Sequence, residues 1–204
     1  MTLPTPERLQ TLIDRLNRGE ADALNELIQV SQDRLLAMTR KIFQDYSRLR
    51  RWEESQDVLN GALVRLHKAI HVENPAQVKT AGDFFCLAAM QIRRELLDLV
   101  RHHFGTGAKG FAAHHHTDGG VQAPDQTPLP AVETAMDPKS AQRLSLWTDM
   151  QMQIEALPDE ERRPIDLYYY QGYDENEIVA ILNISKSTLR RRLRRARQKI
   201  GSNL

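Results

Sequence analysis

An all-α fold is predicted by three observations on this 204-residue chain. Apolar residues recur at helical spacing through most of its length. No segment combines sustained alternation with β-branched enrichment, so no strand is predicted. Glycine and proline gather in one stretch, with five of ten glycines and four of nine prolines between Gly105 and Pro138. That stretch holds few large apolar residues and cannot bury enough surface to offset the entropy of ordering, so it reads as a flexible linker between two helical parts. The predicted organisation is a helical domain over 1–103, a Gly/Pro/His linker over 104–139 and a smaller helical domain over 140–204.

The elements follow in order. Thr5-Pro6-Glu7 is a helix start, with proline at a first-turn position where its missing N–H costs nothing. Leu9, Leu12, Ile13 and Leu16 keep the period behind it, then Leu24, Leu27, Ile28, Leu35 and Leu36. Val58, Leu59, Ala62, Leu63, Leu66 and Ile70 form another stripe that Asn74-Pro75 breaks. Phe84, Phe85, Leu87, Ala88, Ile92, Leu96, Leu97 and Val100 form the next, with a loop over His71 to Asp83 before it. Past the linker, Leu144, Trp147, Met150, Ile154 and Leu157 run to a stop near Pro158. A helix over Glu160 to Tyr170 ends at Gln171-Gly172-Tyr173. Asp174 is placed to cap a short helix to Leu182 with Ile178, Ile181 and Leu182 inward. After Asn183-Ile184, Ser185 is suited to cap a last helix from Lys186 to Ile200.

Composition narrows the class. The chain is 41% hydrophobic and 27% charged, with 28 basic and 27 acidic residues, a formal net charge of +1. From Ile184 to Leu204, however, stand eight basic residues and no acidic one, which leaves 20 basic against 27 acidic elsewhere, a net of −7. A segregated basic end points to a polyanion, nucleic acid above all. No apolar run is long enough for a membrane span, which argues against membrane insertion. The opening residues lack the basic-then-apolar order of a secretory signal. A single cysteine, Cys86, excludes an internal disulfide framework. These features predict a soluble, cytoplasmic protein.

Two short helices joined by a tight turn, the second of them basic, predict a helix-turn-helix. At about 100° per residue, Leu189, Leu193, Ala196 and Ile200 share one narrow arc. Ser187, Arg191, Arg194 and Gln198 lie diametrically opposite, flanked by Lys186, Arg190, Arg195 and Arg197. In a major groove such a face supplies guanidinium forks for guanine edges, while the flanking cations hold phosphates. Glu175 and Glu177 on the preceding helix are expected to point away from DNA. Seven arginines and lysines over 190–199 without an acid do not resemble a solubilising face, which mixes signs.

These residues resemble a known family. Ala156-Leu157-Pro158-Asp159-Glu160-Glu161-Arg162, Tyr168 to Tyr173, Glu177 to Leu182 and Ser185 to Ile200 are similar to region 4 of the sigma-70 family, in its extracytoplasmic-function (ECF) group. Gln56 to Leu66 resembles region 2.2, with Asn60-Gly61 where the family commonly has Gln-Glu. Phe84 to Arg101 resembles regions 2.3 and 2.4. The resemblance implies a sigma factor that directs bacterial RNA polymerase core to promoters and assists promoter opening. It implies contact with the −35 element through Lys186, Ser187, Thr188, Arg190, Arg191, Arg194 and Arg195, and with the −10 element through Arg93, Arg94 and Arg101. Asp57, Val58, Asn60, Gly61 and Arg65 would meet the core enzyme. The β′ clamp, the β flap, promoter DNA and an anti-sigma factor are the implied partners. The residues alone leave two alternatives, a stand-alone helix-turn-helix regulator and an RNA-binding adaptor.

Other chemistry is weaker. His114, His115 and His116 sit in a Gly-rich linker without the fixed geometry of a metal site. Nucleophile elbows, paired catalytic carboxylates and phosphate-cradling glycine loops are missing, so neither an enzyme nor a cofactor is predicted. Tyr168, Tyr169 and Tyr170 read as part core and part packing surface, and Cys86 as a small buried apolar residue.

Overall fold

The computed structural model describes residues 5–43, 54–73, 78–104 and 138–201. Among them every regular element is helical, as the sequence predicts. Helices α1 (Pro6–Asn17), α2 (Ala23–Phe43), α3 (Ser55–Lys68) and α4 (Ala81–Phe104) form the N-terminal bundle. Helices α5 (Pro138–Ala156), α6 (Asp159–Ile165), α7 (Glu175–Leu182) and α8 (Lys186–Gly201) form the C-terminal set.

The predicted start of α1 holds: Thr5 is its N-cap, its Oγ1 accepting from the Arg8 N–H at 3.4 Å, with Pro6 in the first turn. One face of each long helix then closes on a common core of Leu12, Ile13, Leu24, Leu27, Leu35, Met38, Phe43, Val58, Leu59, Leu66, Phe84, Phe85, Ile92 and Leu96, all 4% exposed or less. Burial of this stripe, not helix propensity, holds the bundle together.

The expected loop from His71 to Asp83 is shorter at both ends. A π-helical turn, Ala69–Glu73, carries α3 on past His71. At the other end Asp83 already belongs to α4: its Oδ2 accepts from the Thr80 and Lys79 N–H groups at 2.8 and 3.1 Å, while Thr80 Oγ1 accepts from the Asp83 N–H at 3.1 Å. This reciprocal cap satisfies donors that the first turn leaves open, which is why the helix starts two residues before Asp83. Asn74-Pro75 and most of the predicted linker lie outside the described residues.

In the C-terminal set, Pro164 falls inside α6 and supplies no N–H to the turn before it. The backbone widens into a π-helical turn, Asp166–Tyr170, and ends at Gly172, whose φ of 73° is a conformation glycine adopts without a Cβ clash. Ile154, Leu157, Ile165, Leu167, Ile178, Leu189, Leu193 and Ala196 make a second core.

The two cores interlock. Trp147 of α5 is buried with the N-terminal bundle, and Cys86 of α4 is buried with the C-terminal set. Between them lies an ion pair: Arg93 Nη1 and Nη2 donate to Asp166 Oδ1 and Oδ2 at 2.5 and 3.2 Å, with side chains 0% and 1% exposed. Arg34 of α2 stacks between the Phe85 and Tyr173 rings, 4.5 and 4.2 Å from their centroids.

Candidate nucleic-acid interface

Asp174 folds the start of α7 into a complete capping box. Its Oδ1 accepts from the Asn176 and Glu177 N–H groups at 2.7 and 2.9 Å, and Glu177 Oε2 accepts from the Asp174 N–H at 2.8 Å. Asn183 closes α7 in the left-handed region, φ 49°, where asparagine is among the tolerated residues. Ser185 Oγ then accepts from the Thr188 N–H at 3.2 Å and starts α8. Three short polar residues thus set the angle between the two helices.

That angle buries Leu189, Leu193 and Ala196, while Ile200 is half-buried at the end of the arc. Opposite them Ser187, Arg191, Arg194 and Gln198 are exposed, with Lys186, Arg190 and Arg195 at their flanks. Thr188 is half-buried, its hydroxyl 2.9 Å from Ser185 Oγ. Arg191, Arg194 and Arg195 enter no ion pair among the described residues, so their guanidinium donors stand in solvent. Lys186, Ser187, Arg190, Arg191 and Arg194 line a shallow hollow of about 420 Å³.

The remaining cations are engaged. Contrary to the expectation that it points away, Glu175 turns onto this face: its Oε2 accepts from Arg190 Nε and Nη2 at 3.1 and 3.0 Å and lies 3.7 Å from Lys186 Nζ. The Arg190 hydrogen bond holds the Glu175 carboxyl below the usual carboxylate range, with Lys186 adding to it. Glu177 is consumed by the capping box. Along the sides of α8, Lys199 Nζ meets Glu161 at 2.6 Å, Arg192 meets Glu160 at 3.1 Å, and Arg197 Nε donates to the Tyr169 hydroxyl at 2.9 Å. Sequence reasoning missed Glu175 and Tyr169 as partners of α8. An acidic residue in a first turn signals a cap, and nothing in the sequence reports which cation lies across a turn.

The arginines expected at the −10 element each enter an ion pair. Arg93 is fully buried against Asp166, Arg94 Nε lies 2.5 Å from Glu155 of α5, and Arg101 Nη1 lies 2.6 Å from Asp98 one turn earlier. The periodicity that puts Ile92 and Leu96 inside leaves Arg93 beside them, so only a carboxylate brought by the other half permits its burial.

On α3, Asp57 and Asn60 are exposed, whereas Val58 is wholly buried in the bundle and cannot form part of an open face. Arg65 bridges Glu95 and Asp98 of α4, both at 2.7 Å. A Cβ on Gly61 would lie 2.3 Å from Glu95 Oε1, the free end of the side chain that pairs with Arg65. Val64, absent from the predicted set, is 60% exposed beside them. An unpaired valine on an otherwise polar helix face was the available signal.

Cys86 is buried, and burial pushes its thiol up to about 12. Among the described residues no group of His, Cys, Asp and Glu side chains is arranged to hold a metal, and no helix is long and apolar enough to cross a membrane.

A helical chain that ends in a doubly capped two-helix turn, with free arginines on the outer face of the second helix, defines a helix-turn-helix transcription protein. The family comparison makes this specific: a family model described as ECF sigma factor matches residues 6–204, and the chain belongs to that family. It is a sigma factor, directing bacterial RNA polymerase core to promoter DNA. It is also similar to the RNA polymerase sigma-H factor of Pseudomonas aeruginosa, 23% identical over 206 residues that cover 98% of this chain and 95% of the relative.

Proposed function

We propose that the chain divides its work between a region 2-like unit over 1–103 and a region 4-like unit over 140–204. The region 4-like unit seats α8 in the major groove of the −35 element. Arg191 and Arg194 read base edges, Ser187 lies between them, and Lys186, Arg190 and Arg195 fix register on phosphates. The observation that carries this reading is the exposed face of Ser187, Arg191, Arg194 and Gln198 opposite the buried arc of Leu189, Leu193 and Ala196.

The region 2-like unit would offer Asp57, Asn60 and Val64 on α3 to the β′ clamp. Arg94 and Arg101 on α4 would hold the −10 strand as the duplex opens, whereas Arg93 is buried against Asp166. Unpairing costs a few kcal/mol per base extruded, and phosphate contacts with base pockets on the single strand offset it. The β flap, an anti-sigma factor and a cytoplasmic location belong to the same reading. The family match favours it over a stand-alone regulator or an RNA-binding adaptor.

The test is co-migration of the purified chain with bacterial core RNA polymerase on a native gel, followed by run-off transcription from genomic fragments. The expected result is a stable complex and discrete promoter-dependent transcripts. Duplex binding by the chain alone, with no core complex, would sink the reading.

A further inference from the structure

An acidic side chain, Glu175, stands on the face given to DNA. It is the first residue of α7, and its carboxylate reaches across the turn to α8. Its Oε2 accepts from Arg190 Nε and Nη2 at 3.1 and 3.0 Å, with Lys186 Nζ 3.7 Å away. A carboxylate beside two cations meant for a polyanion works against affinity, because it neutralises their charge and repels phosphates. The start of α7 does not require it, since Asp174 and Glu177 already complete the capping box.

The geometry of the pair shows what the carboxylate supplies. A guanidinium carries five N–H donors in one plane. Glu175 takes the edge made by Nε and Nη2. The neighbouring fork, the second Nη2 hydrogen with one on Nη1, stays open, and Nη1 enters no hydrogen bond among the described residues. Such a fork fits the O6 and N7 acceptors of guanine in the major groove. The Arg190 side chain is 61% exposed against 30% for Glu175, so the held arginine still faces solvent. Arg190 and Arg194 line both the hollow described above and a second one of about 450 Å³, whose wall includes Glu175 and Gln198. A free arginine gives up rotamer freedom on meeting a base, whereas one already held by a carboxylate has less to lose. Arg191 and Arg194 have no such support.

We propose that Glu175 is a positioning residue for promoter recognition, holding the Arg190 guanidinium with its open fork set for a guanine edge in the −35 element. Arg190 then reads bases beside Arg191 and Arg194, which refines its place among the flanking cations. The proposal rests on the seating of α8 in the −35 major groove. The charge of Glu175 lowers affinity for every duplex, while the order it imposes on Arg190 widens the gap between right and wrong sites.

The experiment uses the full chain assembled with core polymerase, a promoter pool randomised over the −35 window, and a duplex without a promoter titrated with salt. Glu175→Gln keeps the side-chain length and removes the charge. It should bind the non-promoter duplex more tightly, with a log K against log salt slope steeper by about one, because Lys186 and Arg190 are released to phosphates. In the same variant the preference for guanine at one position should fall about fivefold or more, the other positions keeping theirs. Arg190→Lys keeps the charge and loses the fork. It should lose the preference at that same position, with non-promoter affinity held. Coincidence of the two variants on one base pair is the signature. Tighter binding by Glu175→Gln with every base preference intact would reduce Glu175 to a charge effect and overturn the proposal. Losses at different positions in the two variants, or an even loss at all positions from a loosened α7, overturn it as well. An unsubstituted holoenzyme that selects no −35 sequence would instead overturn the seating of α8 on which the proposal rests.

Discussion

At the residue scale, the thiol of Cys86 reports on the contact between the two halves. It lies on α4 yet is buried among C-terminal side chains, and that burial pushes it up to about 12. At about pH 8 only about one thiol in ten thousand is then the reactive thiolate. Release of thionitrobenzoate from a disulfide reagent should be slow in the native protein and fast once urea opens it. Rapid native reaction would place Cys86 at the surface. Glu175 titrates by the opposite logic. Its carboxyl is lowered by the Arg190 hydrogen bond, so the pair contributes above the ordinary glutamate range and is lost as pH falls through the lowered value. Carboxyl NMR should give Glu175 a midpoint below that of an unpaired glutamate, and Arg190→Ala should raise it toward the ordinary range.

At the scale of elements, α7 is eight residues long and too short to be stable by propensity, so its ends carry it. Asp174→Ala removes an acceptor for two backbone donors and should cost about 1 kcal/mol of unfolding free energy in a urea titration. The faces of α8 predict contrasting substitutions. Arg191→Ala and Arg194→Ala should alter which −35 sequences are used, at about 1–3 kcal/mol for each bidentate hydrogen-bonded pair with a base that is removed, with stability unchanged. Lys199→Ala should do the reverse, because its ammonium is tied to Glu161, whose side chain is 5% exposed. Promoter competition assays beside thermal melts separate the two classes. Equal effects across α8 would sink the division into a reading face and a packing face.

At the scale of the whole molecule, one buried ion pair joins two cores. Such a pair is weak evidence for stability, since desolvation opposes the attraction, but breaking it from one side is costly. For Asp166 burial outweighs the pull of Arg93 and leaves the carboxyl above its ordinary range. Asp166→Ala would strand a guanidinium in the interior, a penalty of about 3–5 kcal/mol if the contact stayed shut. The expected outcome is that the halves part: helical content by circular dichroism is kept, while Cys86 reacts faster. Arg93→Met with Asp166→Leu should keep Cys86 protected, because the pair is replaced by apolar volume. Faster reaction in both variants, or in neither, would show that the ion pair does not govern the contact.

The helix starts at Thr5-Pro6, Asp174 and Ser185 were legible in the sequence because their causes are local, whereas the Thr80–Asp83 cap of α4 was read as loop. Such caps act over three or four residues, and the stripe Leu189, Leu193, Ala196 fixes the opposite face of α8 by period alone. The family pattern is likewise linear, and it gave the class. Charge pairing across the chain was not legible. Arg93 is 73 residues from Asp166, Arg94 is 61 from Glu155, and Glu175 is 15 from Arg190, and no spacing rule connects them. The same arginine, read from its neighbours, is a free cation for DNA, and read in three dimensions it is a neutralised group inside an interface. Sequence determined which residues are helical, apolar or basic, since short-range sterics and periodicity decide those. Tertiary structure alone decided which charges remain available to a partner, because Coulomb attraction and desolvation depend on distance and burial, not on separation along the chain.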